Sequence, residues 1–344
     1  MPVRPLSYYR DRYIRFQPSP FCAGCGGGIV LNCFVRAIDE LGVPPDKVLC
    51  VSGIGCSSWI PSPNFRGDTM HTPHGRALAY ATGAKVFNSD LVTVVFTGDG
   101  DGAGIGGNHL IHAARRNIDI TTILVNNLSY AMTGGQMAPT TLYGKMTATS
   151  PYGNPEGPFD LAELAAAAGA TYVARWTTYH AAQLTRSIGE ALGHGGFSFI
   201  EVLSQCPTQQ RRLFEMRGPV RHVPSRILEM FSESTYVRGS LPKGSYVYAV
   251  PRGAPGESLR AVEGAVEGLG AEARLVDHLA FGRIVRVDAE DLEEAKERLG
   301  GLGAVERLVG PREGKLPLGV FVKRERPEFT ETLRRLVERK GGGG

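Results

Sequence analysis

The chain has 344 residues and a net charge of +4, a length that allows two domains or one large domain with an addition. The charge is spread along the sequence, which argues against nucleic-acid binding, and no apolar run approaches the ~20 residues of a membrane span. Residues 1–17 are rich in Arg and Tyr and lack an apolar core, so we expect no secretory signal there. Six cysteines in such a chain do not predict a disulfide scaffold, and we expect a cytoplasmic protein.

A Cys-x-x-Cys pair, Cys22 and Cys25, lies near the start of the chain and precedes three glycines. Such a pair is compatible with zinc, a redox dithiol or an iron–sulfur cluster, and the pair alone leaves all three open. Apolar residues at helical spacing predict a helix over 29–41. Cys33 lies within that helix, so we expect it to be a small buried hydrophobe.

The next predicted strand, over 48–51, ends in a loop rich in glycine and serine. Cys56 lies in this loop, at the strand end where open α/β sheets bind ligands, whereas Cys50 lies inside the strand and is expected in the core. A proline-containing loop then ends at His74 and Arg76, before a helix of small residues that we predict over 77–85. The position of His74 at the start of a helix, after a loop and beside an arginine, favours a functional role over a buried structural one.

The strongest signal is a glycine-rich turn between two apolar, β-branched runs that read as buried parallel strands. Its predicted parts are, in order, a strand over 91–97, a turn over 98–107, a helix over 108–116 and a strand over 120–125. Ligands of such a unit bind at the carboxyl ends of the strands. Asp99 and Asn127 both lie there, about one βαβ crossover apart in sequence.

The chemistry of this pair is that of a magnesium site. A carboxylate and an amide oxygen are hard ligands, and Mg²⁺ takes further oxygens from water and substrate phosphate. The glycines let backbone N–H groups approach that phosphate, and the following turn places Thr133 and the next amides near it. An ordinary nucleotide-binding turn without a metal is the alternative, although Asp99 within the turn disfavours a bare pyrophosphate.

A third cysteine follows a strand end later in the chain. The predicted elements are a helix over 160–169, a strand over 172–175, a helix over 180–192 and a strand over 197–203, after which comes Cys206. Four cysteines therefore lie in loops, and such a set holds either zinc or a [4Fe–4S] cluster. Ligand loops so far apart in sequence are unlike small zinc modules, which favours the cluster.

Over about residues 15–212 the chain resembles the thiamine diphosphate-binding β subunit of the 2-oxoacid:ferredoxin oxidoreductases. The motifs that carry the resemblance are, in family order, Cys22 to Gly26, Val51 to Ser57, His71 to Ala77, Gly98 to Asp101, Arg115 to Ile118, Asn126-Asn127, Thr133 to Gln136, Pro158 to Leu161 and Ser204 to Thr208. The Thr-Gly-Gly-Gln version followed by Ala-Pro-Thr-Thr looks most like the 2-oxoglutarate branch.

The resemblance implies a thiamine diphosphate-binding α/β fold, in which a doubly wound, mostly parallel sheet carries helices on both faces. It implies Mg²⁺ bound by Asp99, Asn127 and the carbonyl of Ser129, with His74 and Arg76 as catalytic residues. The implied cluster ligands are Cys22, Cys25, Cys56 and Cys206. The implied cofactor-binding residues are Gly55, Cys56, Ser57, His74, Gly98, Asp99, Gly100, Asp101, Asn127, Thr133 and Gly134.

The implied activity is oxidative decarboxylation of a 2-oxoacid, with coenzyme A, to an acyl-CoA and CO₂. Electrons would pass through the [4Fe–4S] cluster to ferredoxin, and an α subunit would supply the glutamate that activates the cofactor, so the chain alone would be inactive. A broad-specificity 2-oxoacid or pyruvate enzyme is the alternative within the family. A non-oxidative thiamine diphosphate lyase and a zinc-stabilised scaffold are the alternatives of other classes.

Three segments are expected: a cofactor and cluster domain over 1–215, an insertion over 243–311, and a closing segment over 312–340 that packs on the main domain. The insertion reads in the order strand, helix, strand, strand, helix, strand, which suggests a small ferredoxin-like βαββαβ domain. Its predicted elements span 246–250, 256–269, 273–277, 282–287, 292–299 and 305–309. It offers few candidate catalytic residues, so we expect a docking or oligomer role.

Overall fold

The computed structural model describes residues 4–15, 18–216, 218–238, 247–251, 273–278, 282–289, 294–295, 305–309 and 315–341. The chain divides into two compact units, the first formed by Met1–Val220 with Gly319–Gly344 and the second by Arg221–Leu318. Within the described ranges, no helix has both the length and the apolar character needed to cross a membrane.

A mostly parallel sheet forms the centre of the first unit. Its parallel strands are β1 (Val48–Ser52), β2 (Asp68–His71), β3 (Val92–Gly98), β4 (Thr121–Asn126), β5 (Tyr172–Thr177) and β6 (Ser198–Leu203). They lie in the order β2-β1-β3-β4-β6-β5, and Gly319–Lys323 pairs antiparallel with Tyr172–Arg175 at the β5 edge. Strands β1 and β3 to β6 are mostly apolar and are buried along nearly their whole length, as strands covered on both faces must be.

Helices cover both faces of this sheet. They are α1 (Leu6–Tyr13), α2 (Gly27–Glu40), α3 (Ala77–Phe87), α4 (Gly107–Arg116), α5 (Leu161–Ala168), α6 (Ala181–Leu192) and α7 (Gln210–Leu213). Val95 points into one core with side chains of α3, α4 and α5, whereas the adjacent Phe96 points to the opposite face. There its ring lies 5.0 Å from that of Phe34 of α2. The expected doubly wound α/β fold is therefore confirmed.

The second unit carries a four-stranded antiparallel sheet. Its elements are α8 (Val223–Glu233), β7 (Thr235–Val237), β8 (Val247–Pro251), β9 (Ala273–His278), β10 (Gly282–Val287) and β11 (Val305–Val309), with sheet order β11-β8-β10-β9. Buried Glu233 of α8 accepts hydrogen bonds from Arg274 and Arg286 of the sheet. The ferredoxin-like assignment stays a prediction, because the helices predicted over 256–269 and 292–299 lie outside the described residues except at 294–295.

The chain closes with β12 (Leu316–Lys323) and α9 (Phe329–Gly341). Within the second unit, Leu316–Leu318 pairs parallel with β7. Within the first unit, the amide of Asn117 donates to the carbonyls of Arg326 and Pro327, which fixes the approach to α9. Asn117 itself has the left-handed conformation, with φ of 53°, at the end of α4.

Candidate active site

A cavity of about 170 Å³ opens at the carboxyl ends of β1, β3, β4 and β6. The loops that follow these four strands supply most of its wall, as the strand-end rule predicts. The predicted residues that line it are Cys25, Gly55, Cys56, Ser57, His74, Gly98, Asp99, Gly100, Asp101, Asn127, Ser129 and Thr133. Four other predicted residues within the described ranges lie off its wall, namely Cys22, Arg76, Gly134 and Cys206.

Asp99 is a buried carboxylate at the start of a π-helical turn over Asp99–Ile105. Its Oδ1 accepts from the N–H of Gly100 at 2.9 Å, and its Oδ2 accepts from the N–H of Ser129 at 3.1 Å and the hydroxyl of Thr140 at 3.2 Å. Burial raises the pKa of Asp99 to about 7, against the opposing effect of these hydrogen bonds. A cation beside this carboxylate would favour its charged form.

Two buried side-chain oxygens near Asp99, Asn127 Oδ1 and Ser129 Oγ, have no hydrogen-bond partner in the part of the chain that the structure describes. Burying a polar atom without a partner is costly, so such atoms point to a ligand. Oxygen donors of this kind suit Mg²⁺, which fits the donor set around Asp99. The amide of Asn126, by contrast, is occupied by contacts with Glu201, Leu128 and Thr140.

Asp101 lines the same cavity, yet its oxygens are committed to the protein. Oδ1 accepts from the backbone N–H groups of Ile54 and Gly75 and lies 2.8 Å from Nδ1 of His74, while Oδ2 accepts from the hydroxyl of Thr97. A carboxylate only accepts, so Nδ1 carries the proton and Nε2 is the ring nitrogen left for a ligand. Asp101 therefore ties the loops after β1 and before α3 to the glycine-rich turn.

Two glycines of the site are required by close approach. A Cβ at Gly53 would lie 2.2 Å from the carboxylate oxygens of Asp101, and one at Gly100 would lie 2.2 Å from the ring of Tyr130. The turn that contains Thr133 also needs glycine, because Gly134 and Gly135 have φ of 117° and 88°.

All six cysteines are free, and four of them lie near enough to influence one another electrostatically. Burial raises the pKa of the Cys25 and Cys56 thiols to about 11, and the neighbouring thiols add to this effect. Cys25 is affected by Cys22 and Cys206, and Cys56 is affected by all three of the others. The structure thus brings Cys22, Cys25, Cys56 and Cys206 to one region beside the cavity.

The remaining two cysteines lie elsewhere. Cys33 is buried in α2, where its thiol contacts the carbonyl of Ala181, and Cys50 is fully buried in β1. Both therefore occupy the core positions expected for them. Across the described residues, no group of three or more His, Cys, Asp and Glu side chains is placed to hold a single metal ion.

The motifs assigned no site role to Thr140, which contacts Asp99 across 41 residues of sequence, or to Glu201, which contacts Asn126 across 75. Thr140 does belong to the Ala-Pro-Thr-Thr motif, but that motif pointed to a branch of the family and not to a contact with Asp99. Glu201 carries a local signal, since a carboxylate inside the mostly apolar run Phe197–Leu203 is rarely buried without a partner.

Comparison with known proteins agrees with this geometry. Residues 53–202 match the family model described as thiamine pyrophosphate enzyme, C-terminal TPP binding domain. Over 214 residues the chain is 57% identical to the 2-oxoglutarate synthase subunit KorB of Methanocaldococcus jannaschii, which covers 62% of this chain and 78% of that protein. Over 208 residues it is 40% identical to the 2-oxoglutarate oxidoreductase subunit KorB of Mycobacterium tuberculosis, covering 60% and 54% of the two chains.

A solved structure is similar over nearly the whole chain. It is described as 2-oxoglutarate:ferredoxin oxidoreductase from Magnetococcus marinus with 2-oxoglutarate, coenzyme A and succinyl-CoA bound. The TM-score is 0.68 at 29% identity, and the match covers 96% of this chain and 90% of that one. The resemblance inferred from the motifs is confirmed: the chain belongs to the family of thiamine diphosphate-binding β subunits of the 2-oxoacid:ferredoxin oxidoreductases, within its 2-oxoglutarate branch.

Proposed function

We propose that this chain is the β subunit of an enzyme that oxidatively decarboxylates 2-oxoglutarate with coenzyme A, giving an acyl-CoA and CO₂ and reducing ferredoxin. The observation that carries the proposal is that Asp99 and Asn127 line the same cavity as Cys25 and Cys56. A cofactor anchored at the first pair would lie beside a cluster held by the second. The names of the relatives and of the solved structure support 2-oxoglutarate as the substrate.

Thiamine diphosphate fits the cavity with its diphosphate held through Mg²⁺ by Asp99, Asn127 and Ser129. Oδ1 of Asn127, which has no hydrogen-bond partner among the described residues, supports the Asn127 part of this assignment, and the Ser129 ligand is proposed to be its backbone carbonyl. When bound, thiamine diphosphate supplies the carbanion that attacks the 2-oxo carbon and the ring that accepts the electrons left after loss of CO₂. The protein holds the diphosphate, excludes water and presents Nε2 of His74, whose other ring nitrogen is fixed by Asp101.

The four loop cysteines are proposed to hold a [4Fe–4S] cluster. Their thiols influence one another electrostatically, yet they do not converge on a position for a single ion. The four ligand loops lie far apart in sequence, unlike those of small zinc modules, and this supports the cluster over the zinc-stabilised scaffold.

An α subunit is proposed to complete the site. No glutamate is among the described residues that line the cavity, so the acid that activates the aminopyrimidine would come from a partner. Two apolar residues of the cavity wall, Ile54 and Met132, are 41% and 49% exposed. Exposed apolar groups at the mouth of a site are typical of surfaces that another protein covers.

The cluster can be tested by purifying the protein anaerobically with its partner and recording the visible spectrum and iron content. A broad band near ~400 nm with about four irons per chain is expected. Cys206→Ala should lose the iron, while Cys33→Ala, which changes a core cysteine, should keep it. A colourless protein with stoichiometric zinc would overturn the proposal, and a thiamine diphosphate-binding protein without iron would indicate the non-oxidative lyase.

The substrate can be tested with the α–β complex, coenzyme A and an oxidised ferredoxin or a viologen dye. We expect the highest kcat/KM with 2-oxoglutarate, compared with pyruvate and a branched-chain 2-oxoacid. Similar values for all three would indicate the broad-specificity enzyme, and a preference for pyruvate would reject the 2-oxoglutarate assignment.

A further inference from the structure

A buried ion pair lies inside the sheet, between Arg175 and Glu201, and Arg175 pairs in addition with the partly exposed Asp160. Arg175 of β5 and Glu201 of β6 are 1% and 3% exposed, and they stand opposite each other in the parallel register. Nε of Arg175 donates to Oε2 of Glu201 at 2.7 Å. Because desolvation offsets most of the attraction in a buried pair, stability alone does not account for two charges at this position.

The second oxygen of Glu201 reaches the neighbouring strand. Oε1 accepts from Nδ2 of Asn126 at 2.8 Å, at the carboxyl end of β4. A carboxylate offers no proton, so Asn126 must present its amide nitrogen to Glu201 and its oxygen to the other side. Glu201 therefore fixes the orientation of the side-chain amide of Asn126.

The orientation of Asn126 shapes the turn that carries the proposed magnesium ligands. Its Oδ1 accepts from the N–H of Leu128 at 3.0 Å, a local bond that spans Asn127. Leu128 then has φ of 64°, in the left-handed region, and the N–H of the next residue, Ser129, reaches Asp99. The hydroxyl of Thr140 lies against both Asn126 Oδ1 and Asp99 Oδ2.

We propose that Glu201, oriented by Arg175, is a positioning residue for the magnesium site, which it controls through the amide orientation of Asn126. The inference rests on the proposed binding of Mg²⁺ and thiamine diphosphate at Asp99 and Asn127. Neither Glu201 nor Arg175 lines the cavity within the described part of the chain, so both act through Asn126.

Glu201→Gln gives a specific prediction because glutamine has only one acceptor oxygen. The Nε–H of Arg175 requires that oxygen, which turns the new NH₂ group toward Asn126. The Asn126 amide must then turn, so that its oxygen accepts from the NH₂ group of the glutamine at position 201. Its own NH₂ group then faces the N–H of Leu128, and these two donors cannot form a hydrogen bond. The turn around Asn127 is lost, and Mg²⁺ affinity should fall about 10–100-fold.

A second substitution that returns an acceptor oxygen to Asn126 should restore the affinity for Mg²⁺. In the double variant Arg175→Met with Glu201→Gln, no cation claims the amide oxygen, so the glutamine can accept from Asn126 as Glu201 does. We expect Mg²⁺ affinity within a few-fold of the original protein. A residue that merely stabilised the fold would give no such rescue, because the double variant removes still more of the buried network.

The measurement is calorimetric titration of Mg²⁺ into the chelator-treated α–β complex at saturating thiamine diphosphate, with thermal unfolding in parallel. Asp119→Asn is a matched control, since it removes a carboxylate from a different ion pair, with Lys85. We expect it to lower stability and leave Mg²⁺ affinity unchanged. If the original protein does not bind Mg²⁺ in the presence of thiamine diphosphate, the proposed function itself fails.

The inference alone is overturned if the original protein binds Mg²⁺ and Glu201→Gln binds it equally well, or if the double variant remains as weak as Glu201→Gln. If Glu201→Gln does not fold, two uncharged doubles decide the question. Arg175→Met with Glu201→Gln keeps an acceptor for Asn126, and Arg175→Met with Glu201→Leu lacks one. We expect the second to bind Mg²⁺ about 10–100-fold more weakly than the first, and equal affinities would overturn the inference.

Discussion

Two aspartates of the glycine-rich turn, separated by a single glycine, have different environments. Asp101 receives four hydrogen bonds from three segments of the chain, which use both of its oxygens. Asp99 accepts three hydrogen bonds, and it lies beside Asn127 Oδ1 and Ser129 Oγ, which have no hydrogen-bond partner among the described residues. The first aspartate that follows β3 is therefore suited to a cation, and the second is suited to holding loops in place.

The variant Asp101→Asn should distinguish holding the loops in place, the task of Asp101, from binding the cation, the task of Asp99. The asparagine keeps one oxygen for the N–H groups of Ile54 and Gly75, and its NH₂ group can donate to Thr97. Loss of the charge should lower the free energy of unfolding by about 1–2 kcal/mol and leave Mg²⁺ affinity within a few-fold. Chemical denaturation and metal titration provide the two readouts. In the parallel variant Asp99→Asn we expect Mg²⁺ binding to disappear, and an equal loss in both variants would contradict the division.

Magnesium binding should depend on pH through Asp99. Burial raises the pKa of this carboxyl from 3.8 to about 7, so the metal-free folded protein takes up a proton more readily than the unfolded chain. The stability that this group contributes is present at low pH and is lost as the pH rises through about 7. Mg²⁺ binds the ionised form, so its affinity should fall about tenfold for each pH unit below 7. Titration between pH 5.5 and 8 checks this, and a constant affinity over that range would contradict it.

At the scale of elements, the π-helical turn between β3 and α4 depends on tight backbone packing. A Cβ at Gly106 would lie 2.3 Å from the backbone oxygen of Asp101, although Gly106 has an ordinary φ of −88°. Gly107, the first residue of α4, has nothing within 4 Å of an added Cβ. Gly106→Ala should destabilise the protein by about 1–3 kcal/mol, whereas Gly107→Ala should be neutral or stabilising by up to about 1 kcal/mol. Urea unfolding midpoints of the two variants measure the difference, and equal midpoints would reject the explanation.

The elements with a strong apolar pattern were predictable from sequence. The strands around the glycine turn and the helices from α2 to α6 lie within two residues of their predicted bounds, because both faces of each strand are buried. Helix α1 was missed since its sequence has no apolar periodicity and it is held by aromatic contacts such as the Tyr13 hydroxyl with Asp39. Edge strand β2, over Asp68–His71, was missed because it is largely exposed.

The candidate site also has residues that the sequence predicts and residues that it does not. Asp99 and Asn127 could be found because a motif of fixed spacing places them at adjacent strand ends. The roles of Glu201 and Thr140 could not be found, because each depends on a contact with Asn126 that only the sheet register or a loop path creates. The orientation of the Asn126 amide depends on such contacts between distant residues, and no local sequence pattern predicts it.

At the scale of the molecule, the proposed chemistry lies in one of the two units. Among the residues that the structure describes, every one that lines the cavity, and each of the four loop cysteines, precedes residue 221, where the second unit begins. In the second unit, the described contacts are those of a small fold: Arg226 pairs with Asp277, and Glu233 accepts from two arginines. None of these groups belongs to the cofactor or cysteine region.

Deleting Lys243 to Pro311 should therefore leave both the cluster and the cofactor bound. With a short glycine–serine linker in its place, we expect about four irons per chain, an unchanged band near ~400 nm and Mg²⁺-dependent binding of thiamine diphosphate. The physical reason is that the cavity wall and the four cysteines lie outside the deleted range. The same deletion with Cys206→Ala is the control and should lose the iron. Loss of the cluster or of cofactor binding from the deletion alone would show that the segment contributes to the site, whereas loss of complex formation with both groups retained would support the docking role expected for it.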